Sequence, residues 1–319
     1  MKPTKVTIPD ELKRDVPQTL YGKVLAATPV VMAVVATMLA GLSSSEMTRA
    51  QYDRSLAAQQ QSKAGDQWSF FQAKRLRGAY QQNTAELLQS LTPVGTVDVA
   101  SLRVALGARA NLLDSAEGRQ TLALLEKGSV PPVPAAGRPN PPVQAVLDAI
   151  AGSANDTDVA AAAGKLSSKD LDDALKSARD QADAFDAATK PINDMIDQIG
   201  SALLSQAPTP GKAEAGGRSL NRDFTAARLK YTAQRYETEA RLNQGIANIY
   251  EVLVRKSNFS AERHHRRSQK FFYGMLGAQL AVIISTFAIA ARKRDLLWSL
   301  AAAAGILAIA FAIFVYITM

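Results

Sequence analysis

Three stretches of this 319-residue sequence contain no charged side chain: Val24–Leu42, Phe271–Ala291 and Leu296–Ile317. About 20 apolar residues are enough to cross the hydrocarbon core of a bilayer as a helix. A single charge at the centre of such a helix costs roughly 2.5–3.5 kcal/mol on insertion scales. The clean exclusion of charge therefore reads as three transmembrane helices. Pro29 lies in the first turns of its segment, where a missing N–H matters least.

A cleaved signal peptide is the rival reading of the first run. The following Ser43-Ser44-Ser45-Glu46 lacks a small-x-small cleavage site, and the apolar run is long for a signal core, so a retained anchor is preferred. The second and third runs are separated by Arg292-Lys293-Arg294-Asp295, which predicts a tight helical hairpin with a basic turn. By the positive-inside rule this turn is cytoplasmic, and Lys13, Arg14 and Lys23 agree. Lys256, Arg263, Arg266, Arg267 and Lys270 oppose that orientation. The reading adopted is a multi-pass protein of a bacterial inner membrane with its large extramembrane part in the periplasm.

Two long segments outside the spans read as helices. Ser43 to Leu91 has no proline, and Ala73, Leu76, Tyr80, Leu87 and Leu91 share one helical face. Leu220, Phe224, Ala227 and Tyr231, then Leu242, Ile246, Ile249 and Leu253, step in threes and fours like a coiled-coil seam, with a phase shift near Thr238. Each arm would reach about 75 Å at roughly 1.5 Å per residue. The expected fold class is thus an all-α membrane protein with an antiparallel helical-hairpin stalk.

Between the arms, two Pro-rich linkers, Pro131–Pro142 and Pro208–Gly217, divide residues 92–218. Helices are predicted at Val99–Lys127, Val143–Ala151 and Ser168–Gln206, the last interrupted at Pro191. This portion is expected to form an α-helical cap at the far tip of the stalk.

Composition narrows the chemistry. The chain has no cysteine, which removes disulfides, thiolate catalysis and Cys-ligated zinc or iron–sulfur centres. Its net charge of +8 is concentrated beside apolar runs, which points to anionic head groups of the lipid bilayer and away from nucleic acid. Phosphate-binding glycine loops, GxSxG elbows and HExxH helices are all missing.

Two stretches carry a family resemblance. One is Ser62 to Lys74, with Gln67-Trp68 followed by Phe70-Phe71-Gln72-Ala73-Lys74. The other is His264-His265-Arg266, followed by an apolar span, Arg292-Lys293-Arg294 and a last span. Over about 24–91 and 228–317 the chain resembles a bacterial membrane protein family of unknown function, domain-of-unknown-function family 4337. The resemblance implies an anchor, a helical hairpin and two further spans, with the middle as an insertion. It implies no activity.

Two groups of side chains stand out. Arg263, His264, His265, Arg266, Arg267 and Lys270, with Arg292, Lys293 and Arg294, read as a belt for lipid head groups. Adjacent histidines on a helix point roughly 100° apart, so one chain cannot readily chelate a metal with both. Gln67, Trp68, Phe70 and Phe71 read as a packing or partner anchor. No catalytic residue, metal site or cofactor is expected. The function expected is a non-enzymatic scaffold that forms a homo-oligomer. The alternative is an accessory or sensor subunit of a larger complex, whose cap binds a ligand or another membrane protein.

Overall fold

The structure is a computed structural model that describes residues 20–135, 140–205, 215–290 and 294–318. Every regular element among them is helical. In chain order they are α1 (Leu20–Leu91), α2 (Val99–Leu106), a 3-10 helix (Gly107–Asp114), α3 (Ala116–Lys127), α4 (Pro141–Ala151), α5 (Asp156–Lys165), α6 (Ser168–Ser205), α7 (Ala215–Ala290) and α8 (Arg294–Thr318). The chain forms two compact units, one of residues 1–56 with 257–319, the other of residues 57–256.

In the first unit, three helices are long and apolar enough to cross a membrane, through α1, α7 and α8. Their apolar side chains are largely uncovered by protein. Val30, Val34, Leu280, Phe287, Leu307 and Phe314 are all exposed, as suits helices whose surroundings are hydrocarbon. Where the helices touch, small residues allow it. Ala278, Ala281, Ala288, Ala301 and Ala308 are buried. Met32 lies over Gly305 so closely that a Cβ there would overlap its sulfur. The indole N–H of Trp298 donates to Thr28 Oγ1 at 3.1 Å. Ser43 and Ser268 exchange hydroxyl-to-carbonyl bonds of 2.9 and 2.8 Å, which brings two backbones together.

The second unit is built on a repeat of seven that the apolar pattern did not disclose. On α1 the inward positions are Ala57, Ala64, Phe71, Gly78 and Ala85, of which all but the half-buried Phe71 are buried. On α7 they are Ala226, Ala233, Ala240, Ala247 and Val254, all buried. A Cβ on Gly78 would stand 3.4 Å from the Ala233 carbonyl oxygen and from Tyr236 Cβ. Small side chains at every seventh residue let helix axes approach at the short end of the roughly 8–10 Å range. The face expected to pack, Ala73, Leu76, Tyr80, Leu87 and Leu91, is instead turned to the outside, with Leu76 73% and Leu91 73% exposed.

The other side of α7 is covered by the middle of the chain. Leu220, Phe224 and Tyr231 join a core with Leu102, Leu106, Leu125, Ile192 and Ile199. Ile246, Ile249 and Leu253 join a second core with Val143, Val159, Leu171 and Leu175. The predicted α7 seam is therefore buried, but against α2–α6. The middle segment was expected as a cap at the tip. It lies alongside α7 from Leu220 to Lys256, where Arg255 pairs with Asp156 at 2.5 Å and Lys256 donates to Ser168 at 2.7 Å.

Local chemistry sets the helix ends. Asp98 caps α2 by accepting from the amides of Ala100 and Ser101, which with the Ser101 hydroxyl lower its pKa. Ser115 caps α3 through the Gly118 amide, and a Cβ on Gly118 would run into the Leu112 carbonyl. Gly128 closes α3 at φ 61°, a left-handed cap. The single helix predicted at Val99–Lys127 is thus broken in the middle, and α5 is an added helix capped by Asn155. Pro191 does not interrupt α6. It sits on the exposed side, where water can satisfy the freed carbonyl, while the neighbouring Thr189 and Ile192 are buried and hold the helix. The predicted linker Pro208–Gly217 and the residues before Leu20 fall mostly outside the described residues.

The seam makes a direct prediction. Ala247→Leu inserts bulk where Ala247 is fully buried and should destabilise the protein by about 1–3 kcal/mol in thermal or denaturant unfolding. Ala58→Leu, at an exposed position of α1, should leave the midpoint within measurement error.

Candidate functional site

Three residues on from each seam position, α1 carries Gln60, Gln67, Lys74 and Gln81, again seven residues apart. The polar repeat has a consequence. Between α1, α6 and α7 it leaves a cavity of about 370 Å³ within the second unit. Gln67, Phe70 and Lys74 line it from α1, Arg179, Asp183 and Asp186 from α6, and Glu239, Asn243 and Ile246 from α7.

Glu239 is its electrostatic centre. It is buried, and it is paired with Lys74 and, at 3.6 Å, with Arg235. The Tyr236 ring adds a second attraction for both cations, with Arg235 4.6 Å and Lys74 5.5 Å from its centroid. Arg179 donates to the Tyr250 hydroxyl and lies over that ring at 5.5 Å. Burial raises the pKa of Asp186, and the nearby charge of Glu239 adds to the rise. Gln67 Oε1 is buried without a hydrogen-bond partner, so the cavity wall holds an acceptor in need of a donor. Tyr231, one turn from Arg235, is fully buried, and desolvation pushes its hydroxyl up to about 12.

The four residues read as a packing or partner anchor separate here. Gln67 and Phe70 face the cavity, Phe70 being 54% exposed. Trp68 packs edge-to-face on Phe71, centroids 5.4 Å apart, and its indole N–H donates to Glu251 at 2.8 Å. Lys74 entered the sequence reading as the last residue of the Ser62–Lys74 stretch. Asp186, Arg179 and Glu239 were missed. The available signal was Glu239 itself, an acid between Thr238 and Ala240 on an alanine-rich face.

In the first unit the expected belt also divides. His264 Nδ1 lies 2.5 Å from Glu46 Oε2, and Arg267 comes within 4.0 Å of the same carboxylate. Both are therefore turned onto α1. His265 bonds Gln269 at 3.0 Å, and Arg266 pairs with Glu262 at 2.8 Å, which lowers the Glu262 pKa. Arg263 and Arg266 are exposed and Lys270 half-buried. Arg292 and Lys293 lie outside the described residues, and so does the Arg294 side chain. Among the described residues no group of three or more His, Asp or Glu is placed to hold a metal.

Two substitutions in the cavity should act in opposite directions. Glu239→Gln leaves Lys74 and Arg235 without their counter-charge and should cost about 1–3 kcal/mol in unfolding free energy. The raised pKa of Asp186 means that the folded state favours its protonated form, so the ionised carboxylate opposes folding at neutral pH. Asp186→Asn should raise Tm slightly at pH 7, the gain being small because the residue is largely open to solvent. The gain should shrink as pH falls through the raised folded pKa and vanish below the unfolded one.

Comparison with known proteins adds one finding. No curated protein and no solved structure matches the chain. A family model matches a stretch that includes Gln67, Trp68, Phe70 and Phe71 and runs past Leu91, while residues 228–317 lie beyond it. Residues 22–104 match the model of a family described as a domain of unknown function (DUF4337).

Proposed function

We propose that this protein is a non-enzymatic, membrane-anchored scaffold whose α1 and α7 form an antiparallel helical stalk and which self-associates through its spans and that stalk. The observation that carries the reading is the constant register of small residues. Within the second unit Gly78 stands against Ala233, and buried small residues recur every seven positions from it on both helices, at Ala57, Ala64 and Ala85 on α1 and at Ala226, Ala240 and Ala247 on α7, as paired heptads require. Such a seam makes a stiff rod, and stiffness serves spacing and assembly more than chemistry. The proposed setting is a bacterial inner membrane with the extramembrane part in the periplasm. In that membrane Arg263, Arg266 and Lys270 would meet anionic head groups of the periplasmic face, and Arg292, Lys293 and Arg294 those of the cytoplasmic face.

A second reading is supported by the cavity around Glu239. An accessory or sensor subunit would use its mixed charges and the unpartnered Gln67 carbonyl to bind a small polar ligand or a partner's side chain. Native mass spectrometry of the full-length protein in gentle detergent or nanodiscs separates the two. A defined homo-oligomer is expected. A monomer, or one copy with a reproducible foreign subunit, would replace the scaffold by the accessory reading.

Orientation has its own test, helped by the absence of native cysteine. Gln59→Cys, on an exposed part of α1, should react with a membrane-impermeant maleimide from the periplasmic side in spheroplasts. Labelling only after lysis would reverse the proposed topology.

A further inference from the structure

The strongest unpartnered feature is the outward face of α1. Leu76, Tyr80, Leu87 and Leu91 are 73, 68, 59 and 73% exposed. Ala73, Leu76, Tyr80, Asn83 and Leu87 follow alternate steps of three and four, the spacing of a two-stranded coiled coil, and Leu91 flanks the end of that stripe. Gly78 and Ala85, which serve the seam with α7, lie on the opposite side of the helix. α1 thus has two seams, and its own chain fills one.

We propose that the second seam is filled by α1 of a second copy of this chain, running parallel. The inference rests on the self-association reading above and assigns it a surface. Three observations favour a copy as the occupant. α1 is one helix from its apolar segment to Leu91, so two copies inserted in the same sense in one bilayer carry this face in the same direction. Flanking residues in a parallel pair meet five positions apart, which sets Gln72 opposite the partner's Arg77, Ala79 opposite the partner's Thr84 and Glu86 opposite the partner's Leu91. No like charges face each other. Finally, the four large side chains offer on the order of 500 Å² per copy, so pairing buries about 1,000 Å², the size at which specific association begins. Asn83 then sits in the seam beside its own copy, where a slipped register would leave its amide against apolar side chains.

The test uses single-cysteine variants of the full-length protein in native membranes, since the chain supplies no competing thiol. Under mild oxidation Leu87→Cys should form a disulfide-linked homodimer at least tenfold faster than Gln89→Cys, an exposed position off the stripe. The pair Leu76→Asp with Leu87→Asp should abolish the oligomer while the helical circular dichroism of the protein is retained, because both side chains are mostly exposed within the chain. Equal cross-linking at Leu87 and Gln89 would overturn the parallel seam. A wild-type oligomer that survives the double substitution would overturn this surface but leave self-association intact. A monomeric wild type would overturn both. Loss of binding to anionic vesicles in place of loss of the oligomer would make lipid the occupant and overturn the proposal.

Discussion

The close approach of α1 to α7 is the constraint on which the rest depends. Alanine, serine and glycine at every seventh position remove the bulk that would otherwise hold the two helices apart. A seam of this kind brings backbones near each other but buries little apolar area per residue. Its stabilisation comes from close packing and from what the short distance allows the flanking residues to do. The reciprocal Ser43–Ser268 bonds are one example, possible only where two main chains come within reach of a single hydroxyl.

Alanine heptads alone specify register poorly, because a slip of seven residues puts alanine on alanine again. The polar contacts remove that ambiguity. In the second unit Lys74 with Glu239 and Trp68 with Glu251 each occur once, and a slipped pairing would bury a charge without its partner. The crowding of Asp186 by Glu239 follows from the same arrangement. An acid needed to lock α1 on α7 also sits near α6, so α6 meets a negative field that its own aspartate must share. The cavity is where small residues, polar register pairs and a third helix meet without filling the space.

Once α1 takes one face of α7, the apolar stripe of α7 must be covered by something else. That requirement draws the middle of the chain back along α7. α6 supplies a matching stripe in Leu171, Leu175, Phe185, Ile192, Ile196 and Ile199, while its aspartates Asp172, Asp173, Asp180, Asp194 and Asp197 stay outside. α7 therefore has neighbours on two sides, which explains why so many of its residues between Leu220 and Lys256 are buried. α1 has a protein neighbour on one side, and this leaves Leu76, Tyr80 and Leu87 exposed.

The all-helical class, the three apolar segments and the α7 stripe were legible in the residues, because charge exclusion and steps of three and four are local signals that survive in any context. The two arms were legible for the same reason, whereas the break between Leu106 and Ala116, the added helix at Asp156–Lys165 and the continuity through Pro191 were not. Which face of α1 turns inward was not. By hydrophobicity Leu76, Tyr80, Leu87 and Leu91 outrank Ala64, Gly78 and Ala85, and sequence reasoning weighs burial by apolar size. The tertiary structure decided otherwise because the partner helix also offers alanines, and two small faces can approach where a large face and a small one cannot. The same holds for the cavity. Lys74, Asp186 and Glu239 are far apart in the chain and unremarkable singly. Only the register set by the small-residue seam brings them together, and register is a property of the pair of helices, which neither one carries alone.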